Sequence, residues 1–381
     1  MSNGSDPSCR FREGTVRIPS GCAIAAVVSE KGDYLPPGRI VSMLAVMRER
    51  SNGLGGGFAA YGIYGYDGFV LHAMCDDMVA LRRLKSYLKP RFKVVSDEPL
   101  PTRPSPRVRN APVLARFFGN PATGPDPEQA VASMTMEVNS TVPGAFIFSS
   151  GRDMGVFKAS AFPEDVAEFF RLEEYTARIW TGHGRFPTNS PGWWGGAHPF
   201  ALLDWSVVHN GELSSYGTNR RFVENSGYRV SLLTDTEVIV YVFDYLVRVK
   251  GMTLEKAAAV VAPPFWREID AMGDGGREYA RVRSVYGGAL LNGPFSIVLA
   301  NGDGVLALAD RLALRPLVVG REGHLVYVAS EEAAIAAVAG AGCGVSFPAG
   351  GEPVVVSTGK GRRDHAPERA AARSQASGGS R

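Results

Sequence analysis

Cys22 heads an apolar run, Cys22-Ala-Ile-Ala-Ala-Val-Val28, directly behind Ile18-Pro-Ser-Gly21. Cysteine in a strand is ordinarily packed inside, so a thiol at the first position of such a run is placed for reaction. Three later segments give it chemical company. Gly182-His-Gly-Arg185-Phe-Pro-Thr188 offers a guanidinium, His209-Asn210-Gly211-Glu212 an amide beside a glycine, and Thr234-Asp235-Thr-Glu237 a carboxylate. A nucleophile, a cation, an amide and an anion together are what opening the carboxamide of a small zwitterion such as free glutamine requires.

Each residue type has a physical reason to be there. A site that accepts the free amino acid and rejects the peptide-bound residue must counter both backbone charges. Arg185 can hold the α-carboxylate with its planar fork, and Asp235 can accept from the α-ammonium. Asp235 or Thr234 would also cap the helix that follows, a role compatible with ligand contact. Carboxamide hydrolysis passes through a tetrahedral anion that needs two converging donors. The Asn210 side chain and the Gly211 N–H can supply them, although Asn-Gly alone equally reads as a hairpin turn. Val207-Val208-His209 reads as a buried strand whose end would project that pair.

A thiol also needs a base. The six histidines (72, 183, 198, 209, 324, 365) show no ligand or dyad pattern, and strand alternation points His183 and His209 away from their reactive neighbours. The economical alternative makes Cys22 the first residue, so that its own α-amine, with a pKa of about 7.7–8.0, takes the proton.

These residues must be positioned by the elements around them. Cys22–Val28 reads as a buried strand and 38–50 as a helix. The glycine run 53–57 follows, then a strand over 58–63. The glycine run lacks the Lys-Ser/Thr of a P-loop and follows a helix, so it reads as a turn that lets backbone approach the site. From about 65 to 175 two loosely similar strand–helix–strand patterns suggest an α/β insertion. A long helix is expected over 235–250, and short strands with Gly-bearing turns fill 295–328. Strands come in groups instead of alternating with helices, which favours sheets packed face to face over a doubly wound parallel sheet.

The bulk numbers fit that reading. With 381 residues, 45% hydrophobic and 21% charged, the chain can bury a full globular core. A net charge of +3, with much of its basic excess in the last twenty residues, gives no footprint for nucleic acid. Cys9, Cys22, Cys75 and Cys343 are widely spaced, which excludes zinc ribbons and fits a reducing cytoplasm. No run reaches the ~18 apolar residues of a membrane helix. The first 21 residues lack the apolar core of a secretory signal.

In order along the chain, Cys22-Ala-Ile, Met47-Arg-Glu-Arg50 with its glycine run, Gly182-His-Gly-Arg185, His209-Asn-Gly211, Thr234-Asp-Thr-Glu237, Ala309-Asp-Arg311-Leu-Ala-Leu-Arg315-Pro316 and Val328-Ala-Ser-Glu331-Glu resemble the class II glutamine amidotransferases. One such tripeptide is weak; seven in order are hard to obtain by chance. Within that family, the chain looks most like the stand-alone glutaminase component of archaeal and bacterial glutamate synthase. The resemblance implies an α+β fold, the four-layer αββα sandwich of the N-terminal-nucleophile hydrolases, with an α/β insertion. It implies attack by Cys22, a thioester, and ammonia passed onward. Arg185, Thr188 and Asp235 would bind the amino-acid end, Asn210 and Gly211 would form the oxyanion hole, and Arg311 and Arg315 would make structural or linker contacts.

The sequence departs from the family pattern in four places. Cys-Gly-Ile is Cys-Ala-Ile here, His-Thr-Arg is His-Gly-Arg, and the insertion before the arginine motif is large. Cys22 also stands away from the initiator Met, so a leader over 1–21 is expected to be cleaved at Gly21–Cys22. The amidotransferase domain is expected over 22–356, with a disordered tail over 357–381. No acceptor domain follows, so ammonia is expected to pass to a separate synthase subunit. No metal or cofactor site is expected in this chain; FMN and iron–sulfur clusters, if present, belong to partner subunits. Two other readings stand beside this one: a glutamine-sensing or scaffold subunit that keeps its leader, and a subunit of another synthase, such as one for N-methylglutamate.

Overall fold

The computed structural model describes residues 21–186 and 192–359. The expected leader, apart from Gly21, and the tail beyond Gly359 lie outside the described residues, as does Thr188.

The first strand, β1 (Ala23–Ser29), starts one residue after the thiol and leads through α1 (Gly38–Val46) to β2 (Gly56–Tyr61). A second group then runs β3 (Phe69–Cys75), α2 (Met78–Leu88), β4 (Phe92–Pro99), β5 (Val113–Pro121), α3 (Pro127–Thr141) and β6 (Ala145–Ser149). The chain returns through β7 (Met154–Ala159), α4 (Pro163–Phe169) and β8 (Ile179–Gly184). It continues as β9 (Phe200–Leu202), β10 (Trp205–Gly211), α5 (Tyr216–Asn225) and α6 (Asp235–Asp244). Three helices the sequence reading lacked follow: α7 (Leu254–Val261), α8 (Trp266–Ala271) and α9 (Arg277–Val285). The last elements are β11 (Phe295–Asn301), β12 (Gly304–Ala309), β13 (Val318–Glu322), β14 (Leu325–Ala329), α10 (Glu332–Ala336), β15 (Gly344–Ser346) and β16 (Val354–Ser357).

Two antiparallel sheets form the sandwich. One has seven strands in the order β15-β13-β14-β1-β8-β2-β7; the other has five, β16-β12-β11-β10-β9. They meet where β1 and β8 pack on β10 and β11, while α1, α4 and α10 cover the first sheet and α6 the second. The result is the expected α+β, four-layer αββα arrangement. Every residue of β1 is buried, which explains its uninterrupted apolar run. Burying each of Val27 and Val28 is worth about 1.5–3 kcal/mol.

The insertion is narrower than the expected 65–175. Residues 69–149 form a separate four-stranded sheet, β4-β5-β3-β6, in a β-α-β-β-α-β order. Asp77 caps α2 by accepting from Val79 and Ala80 N–H, and Asp126 caps α3 with Pro127 in its first turn. In contrast, β7 pairs with β2 and α4 packs on it, so both belong to the sandwich. A local strand–helix pattern does not say which sheet a strand joins. The insertion's apolar face continues into the core of the five-stranded sheet, where Phe69 and Leu71 share a cluster with Phe200 and Val207.

The helix expected over 235–250 is α-helical to Asp244 and closes with a π turn over Tyr245–Val249. Among the described residues, no helix is long and apolar enough to cross a membrane, and no group of three His, Cys, Asp or Glu could hold a metal ion.

Candidate active site

Sheet register brings the thiol and the guanidinium together. In the antiparallel pair β1–β8, Ala23 faces Gly184, so Cys22 and Arg185 leave adjacent strands at the same edge, 163 residues apart in sequence. The Phe186 N–H donates to Cys22 Sγ at 3.3 Å. Arg50 Nε donates to the Cys22 carbonyl at 3.2 Å, while its Nη1 pairs with Glu331 Oε1 at 2.9 Å. Phe186 therefore holds the sulfur of Cys22 and Arg50 its backbone. Burial pushes its pKa up; Phe186 N–H, Arg185 and Arg50 pull it back only in part, so the resting sulfur keeps its proton.

A cavity of about 250 Å³ opens beside this edge, lined by Cys22, Arg185, Gly211, Asp235 and their neighbours. Arg185 is buried, and the glycine run lets it pack closely. A Cβ on Gly55 would lie 2.9 Å from Arg185 Cδ, and one on Gly57 would lie 2.2 Å from the His198 carbonyl. The close approach expected of that run is thus present.

Asp235 is the first residue of α6 and is not its cap. Thr234 caps the helix by accepting from Thr236 N–H at 3.1 Å. The carboxylate is left to accept from Leu213 N–H at 3.1 Å and from the Thr236 hydroxyl at 3.3 Å, with His209 Nδ1 3.6 Å away. Burial raises the Asp235 pKa, but His209 and these donors outweigh it and hold the carboxyl below its usual value. An anion facing the cavity follows.

Thr236 Oγ1 also meets His198 Nε2 at 2.9 Å and His209 Nδ1 at 3.1 Å. With its one proton directed to Asp235, the hydroxyl accepts from both rings, which sets the protonated nitrogens as His198 Nε2 and His209 Nδ1. His183 donates from Nε2 to the His209 carbonyl at 2.9 Å and stacks on His198, with centroids 4.0 Å apart. The expectation that His209 points away from the site is corrected. His209 and Asn210 do face opposite sides of β10, but the cavity wraps onto the α6 side, so the His209 ring lines it. His183 stays behind the wall.

Asn210 and Gly211 are not a hairpin turn; they end β10, opposite Ser296 and Phe295. Gly211 has φ +142°, and a Cβ there would lie 2.0 Å from the Pro294 carbonyl, so no other residue fits. Gly211 lines the cavity but Asn210 does not. The Asn210 amide is fully buried with neither its oxygen nor its nitrogen hydrogen-bonded, and a Cβ on Gly21 would lie 2.8 Å from its Oδ1. The amide thus faces the junction between Gly21 and Cys22. Arg315 reaches the same junction, its Nη1 lying 3.5 Å from that Cβ position. Glu237 builds the neighbouring loop by accepting from Ser231 and Leu232 N–H.

Sequence reasoning missed four contributors. Arg50 and Glu331 lay in segments quoted only for their resemblance. His198 and Thr236 carried no signal of their own, because their contact spans two elements.

A thiol at a strand end, an adjoining guanidinium and carboxylate, and a strand-end Asn-Gly thus meet between the two packed sheets. Over residues 130–232 and 229–339, more than half its length, the chain matches the glutamine amidotransferases class-II, and it belongs to that family. Among its relatives, a protein of Archaeoglobus fulgidus named only as uncharacterized is 45% identical over 88% of this chain and 91% of its own. A putative glutamine amidotransferase of Methanothermobacter thermautotrophicus is 25% identical over 82% of this chain and 92% of that protein. Among solved structures, glutamine phosphoribosylpyrophosphate amidotransferase from B. subtilis aligns with 88% of this chain at a TM-score of 0.46 and 14% identity. The chain spans about half of that one, 47%.

Proposed function

We propose that this chain is a cytoplasmic glutaminase subunit that hydrolyses glutamine and passes the ammonia to a separate synthase subunit, most closely that of a glutamate synthase. The observation that carries the reading is the cavity that joins Cys22, Arg185 and Asp235, with Gly211 in its wall. Arg185 takes the α-carboxylate and Asp235 the α-ammonium of glutamine, with Thr188 as a further contact from the family motif. Any FMN or iron–sulfur centre belongs to the partner.

Cleavage at Gly21–Cys22 frees the α-amine of Cys22 and uncovers the Asn210 amide. The sulfur adds to the carboxamide carbon as its proton moves to that amine. The Asn210 Nδ2–H and Gly211 N–H hold the oxyanion. The C–N bond breaks as the proton passes to the leaving nitrogen, which gives ammonia and a thioester. Water then adds to the thioester carbon as one of its protons moves to the α-amine, the C–S bond breaks as that proton returns to the sulfur, and glutamate is released.

A second reading, a glutamine sensor that keeps its leader, draws on the place of Gly21 against Asn210: in the uncut chain Cys22 has no free amine. N-terminal sequencing and a glutaminase assay on protein from the native host, with and without co-purifying subunits, separate the two. A chain that starts at Cys22 and releases ammonia supports the enzyme. A chain that starts at Met1 or Ser2 and is inert to glutamine supports the sensor.

A further inference from the structure

Lys158, within β7, is 1% exposed, and its ammonium meets three main-chain carbonyls: Gly195 at 3.1 Å, Ala197 at 3.0 Å and Pro199 at 3.4 Å. Burying a charge this way is costly, and an apolar side chain of like volume would fill the space without that cost. What an apolar chain cannot do is gather three carbonyls at one point.

Those carbonyls belong to a tight segment. Gly196 N–H donates to the Trp193 carbonyl and Ala197 N–H to the Trp194 carbonyl, both at 3.2 Å. Its other side is the wall of the cavity. A Cβ on Gly196 would lie 3.1 Å from Arg185 Nη1, so the segment's backbone abuts the guanidinium. His198 reaches Thr236 and through it Asp235. One turn thus touches the residues assigned to both ends of the amino acid.

We propose that Lys158 is a positioning residue for the glutamine pocket: its clamp on the carbonyls of Gly195, Ala197 and Pro199 holds the turn that sets Arg185 and His198. This inference rests on the glutamine reading given above. The ammonium has three N–H donors for three carbonyls, whereas the neutral amine has two, so deprotonation loosens the clamp. Burial, then Arg185, push the lysine down to about 7, and Glu237 on α6 pulls it back up. His198 is also close enough to feel the lysine and is held neutral well below its ordinary value, chiefly by burial.

Three measurements on the mature protein test this: steady-state glutamine hydrolysis across pH 6–9, the same for Lys158→Met, and hydrogen exchange of the 192–199 peptide corrected for intrinsic rate. The expected results are a KM at least ~10-fold higher in Lys158→Met at pH 6.5, with kcat within ~3-fold. Wild-type KM should climb above pH 7 while that of the variant stays flat, with faster exchange of the peptide in the variant. An equal KM in a folded variant overturns the inference. If the variant does not fold, the wild type still decides: exchange and KM that do not change together through pH 7–8 overturn it, and a joint rise supports it. Wild-type protein that hydrolyses no glutamine at any pH fails the underlying reading instead, a result distinct from a failed clamp.

Discussion

Arg50 joins Cys22 to Glu331: one guanidinium nitrogen holds the Cys22 carbonyl at 3.2 Å and another the carboxylate at 2.9 Å. The contact fixes the backbone of the nucleophile rather than its sulfur. Arg50→Met should therefore lower kcat for glutamine hydrolysis by ~10–100-fold and leave KM within ~3-fold, since a misplaced attacking atom is costly while the substrate contacts remain. Steady-state kinetics with a melting curve checks this; a change confined to KM would contradict it.

Arg185→Lys tests the planar fork. Lysine keeps the charge but loses bidentate geometry, so KM for glutamine should rise ~10-fold or more with kcat little changed. Competition by glutamate gives an independent reading, because its α-carboxylate should lose affinity in parallel. A purely kcat effect would place Arg185 in the chemistry and not in binding.

Asn210→Ala removes one of the two proposed oxyanion donors. Loss of one such donor costs about 3 kcal/mol, a fall in kcat of ~10²-fold or more at nearly constant KM. Alkylation of Cys22 by iodoacetamide should proceed at the wild-type rate, since that reaction builds no oxyanion. If hydrolysis and alkylation fall together, Asn210 acts on the thiol's setting instead.

Stability should fall as pH drops below 6.5. Burial depresses His72, then helped by Arg116, to about 3; burial also takes His183 to about 3 and His198 well below its ordinary value. Unfolded, each ring binds a proton below about 6.5; folded, these rings stay neutral until far lower pH. The unfolded state thus binds more protons in that window, and each site removes up to about 1.4 kcal/mol of stability per pH unit. Melting temperatures between pH 7.5 and 4.5 check the slope, which should be shallower in His72→Gln. A flat profile across that range would remove these histidines from the account.

The residues that meet at the candidate site were legible because residue type and local context mark them. A thiol opening a buried strand, an arginine after a Gly-bearing strand, and an Asp at a helix start each signal from a few neighbours. The fold class was legible for a similar reason, since strand groups and helical periods are local patterns. What stayed hidden is relational. Nothing near Cys22 says that its strand pairs with the one ending at Gly184, or that Arg50 and Glu331 meet over it. Strand alternation placed His209 and Asn210 on opposite faces, but not the cavity on the His209 side. The strand at 154–159 read like part of the insertion because its partner, β2, lies about a hundred residues upstream. Lys158 carried no signal, because its acceptors are the main-chain carbonyls of Gly195, Ala197 and Pro199, and every residue type has such a carbonyl.

The pairing of β1 has a temporal consequence. Its two neighbours are β8 and β14, and the latter ends at Ala329, more than three hundred residues after Cys22. During synthesis the strand bearing the thiol lacks one edge partner until those three hundred residues have left the ribosome. The setting of the nucleophile is thus completed only by a strand far downstream of it.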